Sequence, residues 1–182
     1  GCNHISINDC TIKLNSLNPN STIGIFQTIN GTPTAASASN NFNTYAGNKI
    51  ESTTYCGIYL NGKINFPDQG NKITLCGNEL TIIDNTTYGN SGYGIFAIEQ
   101  KDLEISHAIV KNVFSMNYPE GIHLENLTGS NVVEYCDVHS VSCWAATPTT
   151  QIAYGMNFIL PYQCYLNVNN NMISDISHKI ET

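Results

Sequence analysis

A short element recurs along the chain: a glycine, an apolar residue, any residue, and a second apolar residue. Its copies are Gly57-Ile58-Tyr59-Leu60, Gly94-Ile95-Phe96-Ala97, Gly121-Ile122-His123-Leu124 and Gly155-Met156-Asn157-Phe158, with a weaker copy at Gly24-Ile25-Phe26-Gln27. Successive glycines lie 33, 37, 27 and 34 residues apart. Apolar residues at every second position make a strand with one apolar face. Because one repeat cannot bury that face alone, the spacing predicts copies that stack on one another.

A second element, out of phase with the first, has apolar residues at relative positions 0, 2 and 7. Its copies begin at Ile5, Ile73, Leu103 and Leu166, and a degenerate copy contains Val133 and Val138. Each repeat therefore carries two or three short strands, which Asn, Gly, Ser or Asp turns separate. The pattern predicts an all-β chain, a parallel solenoid in which each strand pairs with its equivalents in the coils above and below.

Two stretches of the chain resemble coils of a known family. They are residues 1–12, which begin Gly1-Cys2-Asn3-His4, and residues 131–141, which begin Asn131-Val132-Val133. Both are similar to coils of the right-handed parallel β-helix family, the pectate-lyase-like superfamily with its generic β-helix repeats. The resemblance implies a right-handed helix of about five to six coils, a fold that carries lyases, hydrolases, epimerases, phage spikes and adhesins.

The domain organisation follows from the same repeats. We expect one domain over residues 1–182, with loop insertions near 28–56 and 142–154. The repeats begin at Ile5 and reach Ile176, so both ends of the stack look uncapped. This predicts flanking coils of a longer chain, or self-association end to end or as a trimer.

The charged residues of the chain limit the kinds of binding partner that we expect. All seven cations are lysines, there is no arginine, and the net charge is −7. Nucleic-acid binding depends on clustered Lys and Arg, so no nucleic-acid partner is expected. No apolar run approaches the length of a membrane span, so none is predicted. The enzymes that the family contains use arginine in their sites, and the Asn-Thr-Asp, Asp-Asp, Gly-His-Gly and Arg-Ile-Lys motifs of polygalacturonases are absent.

The chain has seven cysteines, at positions 2, 10, 56, 76, 136, 143 and 164, and none with CxxC spacing. We interpret them as small buried side chains, with one or two disulfides as the alternative. Cys10 and Cys136 align in the second element, which is consistent with a redox or metal pair or, as we prefer, with a ladder of small residues. No metal or cofactor is expected.

Candidate site residues come from the positions that should face outward. The residue between the two apolar positions of the first element reads Phe26, Tyr59, Phe96, His123 and Asn157 along the stack. Stacked strands lie about 4.8 Å apart, so these side chains should form a stripe. Phe26, Tyr59 and Phe96 are the predicted carbohydrate-binding residues, unless a loop or partner covers them.

Two acid–imidazole pairs are the candidate catalytic residues. His123 and Glu125 are two apart on one predicted strand, and Asp137 and His139 have the same relation one strand later. A carboxylate beside an imidazole can serve acid–base chemistry, and solvated surface is the alternative interpretation.

These observations favour a non-catalytic structural or adhesive domain of an extracellular or virion surface, such as a fibre, spike or adhesin subunit with a carbohydrate-contacting face. The alternative is a carbohydrate-active enzyme, a polysaccharide lyase, hydrolase or epimerase. A cytosolic protein with seven reduced thiols is a third hypothesis.

Overall fold

The computed structural model describes residues 1–15, 18, 20–29, 31, 35, 38–74, 85–87, 91–145 and 152–180. Of residues 85–87, 144–145 and 179–180 only the backbone is described. Strands are the main regular elements in these ranges, where they make up 63% of the described residues. None of the described segments is a helix long and apolar enough to cross a membrane.

The strands fall into three larger sheets and one small one. The first sheet contains β1 (Ser6–Asn8), β4 (Thr44–Ala46), β8 (Lys72–Thr74), β12 (Glu104–Ser106), β15 (Gly129–Glu134) and β18 (Cys164–Asn169). The second contains β9 (Asn85–Thr87), β13 (Ile109–Ser115), β16 (Asp137–Ala145) and β19 (Met172–Ile180), with β2 (Thr11–Lys13) and β5 (Lys49–Glu51) as a separate pair. The third contains β3 (Ile23–Thr28), β6 (Cys56–Asn61), β10 (Ser91–Ile98), β14 (Tyr118–Glu125) and β17 (Tyr154–Ile159). The small sheet pairs β7 (Asp68–Gln69) with β11 (Gln100–Lys101).

The chain visits the three larger sheets in a repeating order, first, second, third. With the exception of β9, which pairs with β13 of the following visit, each later strand of these sheets pairs in parallel with the strand of the preceding visit, as β10 does with β6. In the third sheet Ile58 lies beside Ile95, and Ile95 beside Ile122. This is the register that the glycine spacing predicts, and parallel pairing of successive repeats is thereby confirmed.

The inward-facing columns of the three sheets make one core. The buried side chains include Ile58, Ile95 and Ile122 from the third sheet, with Ile105 from the first and Val138 from the second. These are the apolar positions of both repeat elements. The weaker copy has Gln27 in the column that holds Leu60, and its amide is satisfied by a hydrogen bond to Asp68 Oδ2 at 2.8 Å.

The repeated glycine is explained by close packing between sheets. A Cβ on Gly121 would overlap Cγ1 of Val138 in the second sheet and the carbonyl oxygen of Gly155 in the next coil. A Cβ on Gly94 would meet the equivalent atoms of Val110 and Gly121. The third-sheet backbone thus lies directly against a β-branched side chain, and only a residue without Cβ fits.

Strands of the second sheet carry buried apolar residues three positions apart, and a bend in each strand explains this spacing. Val110 and Val113 are both buried on β13, although regular alternation puts residues three apart on opposite faces. Between them Asn112 has a φ of +57°, and Ser140 and Asp175 hold the same conformation in the next two coils. The left-handed residue turns the strand so that both valines face the core.

Asparagine side chains bridge successive coils at one corner of the stack. Asn43 Oδ1 accepts from the N–H of Ile5 at 2.8 Å, and Asn71 Oδ1 accepts from the N–H of Asn43 at 2.9 Å. Asn131 Oδ1 accepts from the N–H of Leu103 in the same manner at 2.9 Å. These buried amides satisfy backbone groups that the strands leave unpaired where they end.

The predicted loop insertions need correction. Residues 44–46 and 49–51 form β4 and β5, so the insertion near 28–56 is wrong for this part. Tyr45 and Ile50 are buried there, and the preceding run of Ala, Ser and Asn obscures their pattern in the sequence. In the insertion near 142–154, β16 extends to Ala145 and β17 begins at Tyr154, while 146–151, with Pro148, lie outside the described residues. Cys76, Asn78, Leu75 and Leu80 also lie outside them.

Candidate functional site

Aromatic side chains form a continuous row on the outer face of the third sheet. The ring centroids of Phe26 and Tyr59 lie 5.3 Å apart, and those of Tyr59 and Phe96 lie 4.7 Å apart in parallel planes. Phe96 then meets the ring of His123 edge to face at 4.6 Å. Phe26 is 54% exposed, and Tyr59 and Phe96 are half-buried. The predicted aromatic stripe is therefore present, and we call Phe26, Tyr59 and Phe96 the aromatic row.

A second set of rings flanks this row. Tyr93 stacks on Phe96 at 4.8 Å, and its ring meets Tyr55 edge to face at 5.6 Å. Tyr55 in turn meets Tyr59 at 6.3 Å. Burial raises the pKa of Tyr55 to about 12 and also raises that of Tyr59, so both hydroxyls stay protonated at neutral pH. The result is an apolar surface of stacked and tilted rings, with phenol groups that can hydrogen-bond.

One end of the aromatic row carries a buried acid–imidazole cluster. His123 is 6% exposed, so although it shares the outward column it lies beneath its neighbours. Its Nδ1 lies 2.6 Å from Oε2 of Glu120, which is equally buried. Its Nε2 lies 3.5 Å from Oε2 of Glu125, whose side chain is 31% exposed. The structure therefore brings His123 and Glu125 together, as the sequence predicts, and adds Glu120.

The two carboxylates favour the protonated imidazole. Burial alone would lower the pKa of His123, but the hydrogen bond and negative charge of Glu120, followed by those of Glu125, outweigh it and raise the pKa above its ordinary value. Nε2 is buried and faces Glu125 Oε2 at 3.5 Å, a contact longer than an ordinary hydrogen bond.

A third carboxylate, that of Glu99, lies near Glu125. Nδ2 of Asn126 lies 3.2 Å from Oε1 of Glu99 and 3.5 Å from Oε1 of Glu125, so one amide links two carboxylates. Burial raises the pKa of Glu99, the charge of Glu125 raises it further, and the Asn126 hydrogen bond acts in the opposite direction. We call Glu99, Glu120, His123 and Glu125 the acidic cluster.

Sequence reasoning missed Glu120 because alternation places residues three apart on opposite faces of a strand. The register of the third sheet is interrupted at each repeated glycine, and Gly121 separates Glu120 from Ile122. Tyr93 and Phe96 make the same contact across Gly94 one coil earlier, at the positions paired with Glu120 and His123. The repeat itself is thus the signal that could have identified Glu120.

The second predicted pair forms separately. His139 Nδ1 lies 3.1 Å from Asp137 Oδ1, on β16 of the second sheet, and both side chains are about 30% exposed. Within the described part of the chain no hydrogen bond or ion pair connects this pair to His123. The structure therefore does not bring the two pairs into one site.

The aligned cysteines also lie apart. Cys10 and Cys136 align in the repeat, but their neighbours at this corner are Asn48 and Ala108 respectively, so the two thiols are not in contact. The six described cysteines, which exclude Cys76, are all free, and burial raises the pKa of Cys136 to about 11. Cys56 and Cys143 are buried as the sequence predicts, whereas Cys2 and Cys10 are exposed.

Comparison of the chain with protein-family models, with curated proteins and with solved structures gives no match. Among the side chains that the structure describes, no group of three His, Cys, Asp or Glu residues could hold a metal ion. The aromatic row and the acidic cluster are therefore the features of this chain that point to a function.

Proposed function

We propose that the chain is a right-handed parallel β-helix of about five to six coils, similar to the pectate-lyase-like superfamily. The repeating order of the three sheets supports this, because each visit adds one parallel strand to each sheet. The first sheet has six strands and the third has five among the described residues, which agrees with that number of coils.

We propose that its function is structural or adhesive and non-catalytic, as a domain of an extracellular or virion surface whose third-sheet face binds carbohydrate. The single observation that carries this is the aromatic row. Sugar rings present C–H faces that stack on aromatic surfaces, and row members 4.7–5.3 Å apart offer a continuous platform along the stack. A half-buried platform with phenol groups at its side suits a neutral polysaccharide chain.

Calorimetric titration with neutral hexasaccharides built from glucose, xylose, mannose or galactose tests this. At least one is expected to bind, and Tyr59→Ala and Phe96→Ala should each weaken it by at least about tenfold, as truncation of a central aromatic anchor does. Tyr165→Ala is the matched control, since Tyr165 is an exposed aromatic residue on the first sheet. Equal losses from Tyr165→Ala, or no binding by any member of the panel, would contradict the proposal.

A carbohydrate-active enzyme is the second candidate, and the acidic cluster favours it. A buried imidazole between two carboxylates beside an aromatic platform has the groups that acid–base catalysis on a sugar needs. Polysaccharide turnover that is lost in His123→Ala and Glu125→Gln, and kept in the control His139→Ala, would establish this candidate in place of the first. If instead turnover were lost in His139→Ala alone, the Asp137–His139 pair would be the site.

We propose that the partner of this chain is a further coil that stacks on its last described strands. Val168 and Ile173 in the last described coil are 44% and 49% exposed, whereas Val133 and Val138, on which they stack, are 1% and 0% exposed. This apolar end fits a parallel coil, from a second copy end to end, from a trimer, or from flanking chain. Light scattering followed by electron microscopy should show association that Ile173→Asp abolishes. A monodisperse monomer would contradict self-association and leave flanking coils as the partner.

A further inference from the structure

The aromatic row has one ring on each of three neighbouring strands of the third sheet. In the parallel register of this sheet Phe26 lies beside Tyr59 and Tyr59 beside Phe96, so the three rings come from equivalent positions. Their centroids follow one another at 5.3 and 4.7 Å, which is close to the spacing of parallel strands, about 4.8 Å. A bound chain therefore contacts all three rings only if it is straight and repeats at about this interval.

Two phenol groups repeat at a similar interval beside the row. The ring of Tyr55 meets that of Tyr59 at 6.3 Å, and the ring of Tyr93 stacks on Phe96 at 4.8 Å. Tyr55 and Tyr93 also contact each other at 5.6 Å, so they lie on the same side of the row. Burial raises the pKa of both phenols, which are therefore protonated at neutral pH. The strands of Tyr59 and Phe96 thus offer successive units of a chain the same pair of groups, one ring and one phenol.

The linkage between sugar units decides whether a chain can follow this row. In a β-1,4-linked chain of glucose, xylose or mannose both bonds to each ring are equatorial, so the rings follow one another end to end in an extended ribbon. Their interval is close to the spacing of parallel strands. An α-1,4 link has an axial bond, and a β-1,3 link joins positions that are not opposite on the ring. Both of these chains therefore curve away from a straight row, and straightening them on binding would cost conformational free energy.

We propose that the aromatic row binds an extended β-1,4-linked chain of neutral sugars in register with the strands, one sugar unit for each of Phe26, Tyr59 and Phe96. The inference rests on the proposed carbohydrate-binding function and adds the linkage class and the number of units that the row contacts. Each unit lies against one ring, and the units at Tyr59 and Phe96 also reach the phenols of Tyr55 and Tyr93.

Calorimetric titration with hexasaccharides that differ in linkage tests the linkage class. The set contains the β-1,4-linked hexamers of glucose, xylose and mannose, and the α-1,4-linked and β-1,3-linked hexamers of glucose. At least one β-1,4-linked hexamer is expected to bind at least about tenfold more tightly than the α-1,4-linked and β-1,3-linked hexamers, because only an extended chain meets all three rings at once. Equal affinities, or a preference for a curved chain, would overturn the inference and leave the proposed function intact.

Chain length tests the number of units. For the β-1,4-linked sugar that binds most tightly, affinity should rise at least about tenfold from the dimer to the trimer and by less than about fivefold from the trimer to the hexamer. Phe26→Ala removes the ring at one end of the row, which is 54% exposed, and should abolish the gain from dimer to trimer. Tyr165→Ala, which removes an exposed ring of the first sheet, is the matched control and should keep that gain.

The same titrations separate failure of the inference from failure of the proposed function. A gain from dimer to trimer that persists in Phe26→Ala, or that Tyr165→Ala removes equally, would overturn the inference. So would absence of binding by every β-1,4-linked hexamer while another neutral hexasaccharide binds. Absence of binding by all neutral hexasaccharides would overturn both the inference and the proposed function.

Discussion

At the scale of single residues, the repeated glycine shows how one missing side chain sets the distance between two sheets. In each of four copies a Cβ would overlap a β-branched side chain of the second sheet, namely Ile50, Val110, Val138 or Ile173. The glycine is therefore a packing requirement, since its own φ is not positive in any of these copies. The sequence shows the glycine and the valine or isoleucine in these four copies, but their contact is visible only once the sheets are placed.

Gly121→Ala is expected to lower the free energy of unfolding by about 1–3 kcal/mol, the usual effect of overpacking a filled core. Urea unfolding followed by circular dichroism measures this. In a double-mutant cycle, Val138→Ala should offset part of the loss, because it removes the Cγ1 atom that the new methyl group meets. Simply additive effects would show that the two residues are not in contact.

Whereas the repeated glycine is needed because it lacks a side chain, His123 is a polar side chain that is buried in the third sheet. Its stability contribution depends on pH, since the folded protein raises its pKa. The contribution is fully present below the unfolded pKa of about 6.5 and is lost as the pH rises through the folded pKa.

The difference in unfolding free energy between the wild type and His123→Gln should therefore shrink as the pH rises from about 5 to about 9. Urea unfolding at a series of pH values measures it, with His139→Gln as the control for loss of an imidazole. A difference that grows with pH would mean that burial dominates and that Glu120 does not hold the proton on His123.

At the scale of elements, hydrogen bonds from asparagine side chains connect one coil to the next. Asn131 lies in the interior, with its Oδ1 on Leu103 N–H and its Nδ2 on Thr128 O at 3.0 Å. Asn171, which lies between the first-sheet strand β18 and the second-sheet strand β19, makes the same kind of bond to Cys136 N–H at 2.8 Å and is only half-buried. Water can therefore replace the amide of Asn171 more easily than that of Asn131.

Asn131→Ala should cost about 1–3 kcal/mol of unfolding free energy, because it leaves a buried N–H without a partner. Asn171→Ala is the matched substitution, and we expect it to have clearly the smaller effect. Thermal and urea unfolding of both variants measure the difference. Equal losses would mean that the side-chain bond matters little and that the strands alone hold the corner.

The strands and their register could be predicted from the sequence, because the alternation of apolar residues and the spacing of the repeated glycines can both be read from it. Tyr45 and Ile50 were missed, since Asn43 and Asn48, whose side chains bridge to the first coil, look like loop residues. The aromatic row follows from the register alone. Glu120 does not, because its contact with His123 depends on the interruption at Gly121.

At the scale of the whole molecule, the outer face of the third sheet combines the aromatic row with the acidic cluster. Stacking of coils aligns Phe26, Tyr59 and Phe96, and the same stacking places His123 and its carboxylates at the end of that row. The outer face of this parallel sheet is thus apolar along most of the row and acidic at one end. We expect a sugar chain to lie along the stack, across successive coils.

Amide NMR spectra during titration with the tightest-binding hexasaccharide of the neutral panel test this account most directly, because they locate the bound chain without any substitution. We expect shifts concentrated in β6, β10 and β14, whose residues 56–61, 91–98 and 118–125 include Tyr59, Phe96 and His123. Strands of the first sheet should be unaffected. Shifts centred on the first or second sheet, or no shifts at saturating sugar, would contradict the claim that the third-sheet face binds carbohydrate.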